Sequence, residues 1–164
     1  MVKEALQPRS PALSETIVSE LMMPHHVNNH GHVFGGVVLS MVDRAAGVAA
    51  MRHSGWPCVT VSIDRVDFKE PIFTGELVTC QARVNFVGRT SMEIGVRVEA
   101  ERLLSREKRH TNTCFLTFVA IDATQRPVPV PPLELETDGD RKRFREGRRR
   151  REVRMALDRE LGEG

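Results

Sequence analysis

Asn28, the glycine pair Gly35-Gly36 and Asp43 stand within sixteen residues of one another, in a segment otherwise rich in apolar side chains. The carboxylate has the chemistry of a general base or a nucleophile, and the asparagine that of a group positioning water or substrate. Glycines at a helix start let a ligand approach the backbone, where unsatisfied N–H groups could bind an anion or the oxyanion formed when a carbonyl is attacked. The run 37–51 is apolar on nearly every face, which predicts a helix buried on most sides, and Asp43 is its only carboxylate. Asp43 follows Gly36 by seven residues, so the two share a face about two turns, roughly 10 Å, apart. Burying an unpaired carboxylate is costly, so Asp43 is expected to be paired or working. Three readings stand side by side: an ion pair with Arg44 or another base, exposure on the one wet edge of the helix, or a reacting acid.

Beyond this helix the period changes from helical to alternating. Val59, Val61 and Ile63 alternate with Thr60, Ser62 and Asp64. The same period runs through Val78, Cys80, Ala82, Val84 and Phe86, and through Met92, Ile94, Val96 and Val98, with Gly88-Arg89 as the turn of a hairpin. Residues 112–123 are apolar on both faces, as expected of a central strand, and 16–23 supply a first strand. One oily helix and about five antiparallel strands give an α+β architecture in which a long sheet curls round the helix. A single sheet covers only part of such a helix, so an obligate dimer is expected. Antiparallel helices at its interface would bring Asp43 of one chain near Asn28 and Gly36 of the other.

The pattern Asn28-x-x-Gly31-x-x-Phe34-Gly35-Gly36, then Asp43, Val59-Thr60-Val61, Phe68-x-x-Pro71-x-x-x-Gly75 and Gly88-Arg89-Thr90-Ser91, resembles the hotdog-fold acyl-CoA thioesterases, in particular the bacterial and mitochondrial acyl-CoA hydrolases. The likeness runs in order through residues 15–131. It implies hydrolysis of fatty acyl-CoA to free fatty acid and CoA, with Asp43 as general base or nucleophile and Asn28 positioning water or substrate. It further implies amides of Gly35 and Gly36 on the thioester carbonyl, Arg89, Thr90 and Ser91 on CoA, and Phe34 and Thr60 lining the substrate pocket. No external cofactor and no metal are implied. The implied assembly pairs chains through continuous sheets and goes on to larger oligomers such as a trimer of dimers.

Each of these residues also has a plain structural reading. An asparagine before glycine is a common turn residue, a double glycine a common bend, 88–91 an ordinary hairpin turn, and Thr60 a good strand former. Four histidines, His25, His26, His30 and His32, crowd the loop before the helix, but their spacing fits no metal motif and no cysteine joins them. They read as polar loop groups. Cys58, Cys80 and Cys114 lie singly in apolar, strand-like runs and read as core residues.

At 164 residues and 40% hydrophobic content, the chain suits one domain. The expected organisation is a flexible start, 1–14, a hotdog domain, 15–132, and a basic helical tail, 133–164. Nothing approaches a membrane-spanning run, and the start Met1-Val2-Lys3-Glu4-Ala5 lacks the apolar core of a secretory signal, so a cytoplasmic location is expected. The tail is the sharpest shift in composition: residues 141–154 hold nine Arg or Lys against two Glu, or +7, where the whole chain carries +2. Pro127, Pro129, Pro131 and Pro132 are expected to form a stiff linker, and Val153, Met155, Ala156, Leu157 and Leu161 the weak apolar side of a solvated or assembly-packed helix. A contribution to the CoA phosphates is one further role for this tail. Nucleic acid binding is disfavoured, since Phe144 is its one aromatic residue and no docking motif is present.

Two other functions compete. A hotdog hydratase or dehydratase needs a catalytic histidine in the site, and the helix's own His53 falls at its far end. A non-enzymatic acyl-CoA sensor would carry a helix-turn-helix ahead of the domain, for which residues 1–14 are expected to be too short.

Overall fold

The computed structural model describes residues 6–162. Five strands, β1 (Thr16–Leu21), β2 (Cys58–Ile63), β3 (Glu76–Val87), β4 (Ser91–Arg102) and β5 (Glu107–Ala120), form one antiparallel sheet in the order β1-β3-β4-β5-β2. Helix α1 (Gly35–Ser54) lies against its concave face and a second helix, α2 (Asp138–Leu161), against the other. This is the expected arrangement, with a central helix in a curled sheet and a C-terminal helix. No helix among the described residues is long and apolar enough to cross a membrane.

The alternation seen in the sequence decides which side chains meet α1. Val78, Cys80, Ala82 and Val84 of β3, Met92, Ile94, Val96 and Val98 of β4, and Cys114, Leu116 and Phe118 of β5 close over Val38, Met41, Val42, Ala45, Ala46, Ala49 and Ala50. The alanines let the helix axis approach the sheet closely, and Gly47 lies against the Phe118 ring, 3.6 Å from where its Cβ would be. Gly55, in the left-handed conformation at φ 74°, ends the helix by donating to the Met51 carbonyl at 2.9 Å.

Three expectations need correction. Strand β2 does not keep the simple alternation: its pairing with β5 slips between Thr60 and Ser62, so Val61 bulges, and Val59, Val61 and Ile63 are 41%, 61% and 41% exposed. These apolar residues lie on an open sheet edge. The proline segment, expected as a stiff linker standing between body and tail, is itself bonded to the body: Val128 and Val130 donate to the carbonyls of Ala120 and Arg89, and Arg9 brackets the segment through Pro132 and Glu134. Of the start expected to be flexible, residues 1–5 lie outside the described residues. From Arg9 onward it is held, with a bridge to Leu133 and a 3-10 turn, Pro11–Ser14, whose last residue is buried.

The tail helix is seated on the sheet through residues other than those of its apolar side. Val153, Met155, Leu157 and Leu161 remain exposed. Contact is made instead by Phe144, 5.0 Å from the Phe86 ring, by Gly147 beneath Phe86 and Glu93, and by arginines. Glu93, 2% exposed on the convex face of β4, takes a bidentate contact from Arg150 with a closest approach of 2.6 Å, while Arg154 bonds Asp64 at 2.7 Å and lies 3.6 Å from Glu93. Arg83 pairs with Glu15 and with the buried Asp140. Desolvation works to raise the Asp140 carboxyl, but the Thr137 amide and hydroxyl and the charges of Arg83 and Arg143 outweigh it and hold the group below the usual carboxylate range.

A buried carboxylate stripped of its main partner is strongly destabilising, whereas an apolar replacement of both partners is close to neutral. Arg150→Ala should therefore cost about 3 kcal/mol in chemical denaturation, and Glu93→Leu with Arg150→Met should recover most of it. Equal losses in the single and double variants would contradict this account of how α2 is held.

Candidate active site

Asp43 sits half-buried midway along α1, where its Oδ1 accepts a 2.7 Å hydrogen bond from the Thr60 hydroxyl. Arg44 does not pair with it. That guanidinium turns to Glu20, at 3.3 Å, and among the described residues no cation lies within ion-pair distance of Asp43. The ion-pair reading of the acid is thus not the one the fold adopts. Nor is the acid fully sunk in apolar surroundings within one chain, because Thr60 is exposed on the β2 edge. The bulge at Val61 adjoins Thr60, as bulges that re-aim a side chain commonly do.

The other polar groups gather at the start of α1. Phe34 caps the helix in an extended conformation without a side-chain bond, and among the described residues neither the Gly35 nor the Gly36 N–H has an acceptor. The glycines stand against two exposed rings: a Cβ on Gly35 would lie 3.3 Å from Phe68, and one on Gly36 would meet Phe34 unless that ring turned aside. Asn28 fulfils its turn role, since its Oδ1 accepts from the N–H groups of His30 at 2.9 Å and His32 at 3.3 Å, around Gly31 at φ 80°. Its side-chain NH2 has no acceptor among the described residues. The loop is anchored by Phe34 N–H to the His26 carbonyl and Val33 N–H to that of Ile72, both 2.8 Å.

The loop histidines serve this scaffold. His26 accepts from the Met23 N–H at 3.0 Å and faces Glu20 at 3.4 Å, and His32 meets the Phe73 ring edge-on. Among the described residues no group of three or more His, Cys, Asp or Glu is arranged to hold a metal. His53 is buried at the far end of α1, its Nε2 2.9 Å from the Pro131 carbonyl oxygen. Desolvation, with help from the nearby Arg9 charge, depresses its pKa despite that hydrogen bond. It is a structural histidine remote from Asp43.

The turn 88–91 is closed by the Gly88 N–H on the Ser91 carbonyl at 2.8 Å, and the Arg89 side chain is exposed. Ser91 pairs with Val119, which pairs with Val59, so the turn lies two strand spacings, about 10 Å, from the residue beside Thr60. One chain therefore joins Asp43 to Thr60, with the 88–91 turn about 10 Å away on the same sheet. It keeps Asn28, Phe34, Gly35 and Gly36 apart from them, at the other end of the helix. The sequence reading missed the Glu93–Arg150 and Arg154–Asp64 contacts, because Glu93 has the parity of an outward polar residue and only the seated helix buries it.

This layout can be set beside known proteins. The profile described as Thioesterase superfamily matches residues 30–105. The uncharacterized acyl-CoA thioester hydrolase YkhA of Bacillus subtilis is 40% identical over 125 residues, which cover 76% of this chain and 73% of that protein. The chain belongs to the thioesterase superfamily, among the hotdog-fold acyl-CoA thioesterases. A crystal structure of an apo-hexameric acyl-CoA thioesterase superposes with a TM-score of 0.89 at 38% identity, covering 93% of this chain and 97% of that one. The acyl-CoA hydrolase of Staphylococcus aureus, in complex with butyryl-CoA, CoA and CoA disulfide, gives 0.87 at 31% identity, covering 94% of each chain. That enzyme has also been solved with an asparagine, an aspartate or a threonine replaced by alanine.

Asn28→Ala removes the acceptor for two loop amides. Hydrogen exchange at the His30 and His32 amides should quicken about fivefold, from the loss of a hydrogen bond worth roughly 1 kcal/mol, while Asn28→Asp, which keeps an acceptor oxygen, should leave them close to wild type.

Proposed function

We propose that this protein hydrolyses fatty acyl-CoA to free fatty acid and CoA in sites that each draw on two chains of a dimer. The observation that carries this reading is the separation along α1. The acid with its threonine and the unpaired helix-start amides lie about two turns apart on one rigid helix, too far to act together on a single carbonyl carbon. The open β2 edge with its exposed Val59, Val61 and Ile63 supports pairing with a second copy, as do the half-exposed Val37, Leu39 and Val48 of α1. The hexameric neighbour supports assembly beyond the monomer, to a trimer of dimers.

In this mechanism Asp43, oriented by Thr60, takes a proton from water as the water oxygen bonds to the thioester carbon. Charge grows on the carbonyl oxygen, which the Gly35 and Gly36 N–H groups and the Asn28 NH2 of the partner subunit stabilise. The tetrahedral adduct collapses, the C–S bond breaks, and CoA leaves as the thiolate, which is then protonated. Phe34 borders the acyl pocket, Arg89, Thr90 and Ser91 contact CoA, and no cofactor takes part. Direct attack by Asp43, through an anhydride, is the alternative role for the acid. The binding of butyryl-CoA and CoA by the S. aureus relative, and the residue types replaced there, support the substrate class and the site. The position of His53, at the far end of α1 against the Pro131 carbonyl and remote from Asp43, favours hydrolysis over hydration.

The test is free-thiol release over acyl-CoAs of graded chain length. Wild type should release thiol, Asp43→Asn should lose about 10³-fold in kcat, and Thr60→Val roughly 10- to 100-fold. Mixing inactive Asn28→Ala and Asp43→Ala chains under subunit exchange should restore about a quarter of wild-type activity, because half of randomly paired dimers hold one intact site. Crotonyl-CoA hydration without thiol release would replace this reading with a hydratase, and no recovery despite exchange would rule out the shared site.

A further inference from the structure

The arginine-rich helix α2 raises the question of which of its cations are already engaged. Arg143 approaches Asp140, Arg148 and Arg149 share Glu152, Arg150 holds Glu93, and Arg154 holds Asp64. Among the described residues Arg151 has neither an ion-pair nor a hydrogen-bond partner, although it is half-buried. Its nearest aromatic neighbour is the Phe86 ring, 5.9 Å from the guanidinium carbon. A solvated arginine loses little by lacking a partner, but a half-buried one has given up water without gaining an anion.

Its position is specific. A Cβ built on Gly88 would stand 3.2 Å from Nη1 of Arg151 and 2.9 Å from the Ser91 Oγ. Gly88 thus leaves open a corner where a guanidinium from α2 and a hydroxyl from the β3–β4 turn come together, with Arg89, itself unpaired among the described residues, next in the chain. A guanidinium and a hydroxyl meeting at a turn, with a second arginine one residue along it, form a site for phosphate oxygens. The corner lies about two strand spacings from the β2 residue beside Thr60. A pantetheine arm, comparable to four or five residues of extended chain, spans on the order of 15 Å and reaches that far.

We infer that Arg151, carried from the C-terminal helix to the 88–91 turn, binds a phosphate of the CoA moiety and so makes α2 part of the substrate site. This rests on the acyl-CoA reading above and adds a residue to it. The helix then has two duties on neighbouring turns: Arg150 and Arg154 fasten it to the sheet, and Arg151 reaches past the sheet's end toward the ligand.

The experiment compares wild type, Arg151→Gln, Arg151→Lys and, as a control, Arg145→Gln, an exposed arginine of the same helix without an ion-pair partner. Arg151→Gln should raise KM for acyl-CoA about tenfold with kcat unchanged, should leave KM for the matching acyl-pantetheine unaltered, and should be partly rescued by Arg151→Lys. Arg145→Gln should match wild type. With 3′-dephospho-CoA thioesters, loss of the Arg151→Gln effect assigns the contact to the 3′-phosphate and persistence assigns it to the diphosphate, and both support the site. Calorimetric titration of CoA itself reads the same contact without turnover, so a wild type that hydrolyses nothing would overturn the proposed reaction while leaving this inference to the CoA affinity. An Arg151→Gln variant with wild-type affinity for CoA, or with KM raised equally for acyl-CoA and acyl-pantetheine, would overturn the inference.

Discussion

The rise of an α-helix governs this molecule. Gly36 and Asp43 are fixed to one rigid rod, and seven residues of rise hold them roughly 10 Å apart whatever the side chains do. The groups suited to stabilising an oxyanion are at the rod's start, and the group suited to activating water is at its middle, tied to the sheet by Thr60. Much else in the fold reads as a response. The alanine-rich inner face sets the rod close into the sheet, its outer face is left partly bare, and the β2 edge beside it is open and apolar. The proposed pairing of two chains answers the bare helix, the open edge and the split chemistry together.

The convex side of the sheet is built on a different principle. There, beside the Phe144–Phe86 contact, the helix is held by ion pairs, with Arg83, Arg150 and Arg154 meeting Asp140, Glu93 and Asp64. Buried ion pairs of this kind add little net stability over apolar replacements but tolerate no unmatched partner. They fix where along the sheet the helix sits. That register matters because α2 reaches the 88–91 turn, and because Arg154 grips Asp64 just past the strand that carries Thr60.

The parts legible in the sequence are those where one period dominates. The oily run of α1, the β3–β4 hairpin around Gly88 and the interior position of β5 follow from apolar spacing alone. The β2 bulge was hidden because Val61 fits an unbroken alternation, and only pairing against β5 reveals the slip. The seating of α2 was hidden because its visible apolar residues, Val153 to Leu161, are not the ones that pack, and Glu93 gives no sign in one dimension of being covered. Asn28 shows a subtler limit: its turn role and its proposed site role fall on different atoms of one amide, so residue type alone could not separate them.

The claim at the centre is that the acid and the amide donors serving one substrate come from different chains. A crystal structure of Asp43→Asn bound to a non-hydrolysable acyl-CoA analogue measures this directly. The account predicts the analogue's carbonyl oxygen within hydrogen-bond distance of the Gly35 or Gly36 N–H of one chain and the residue at 43 from the other beside the carbonyl carbon, across paired β2 edges. An analogue gripped by Gly36 and position 43 of a single chain, or residue 43 turned to bulk solvent away from any interface, would contradict it.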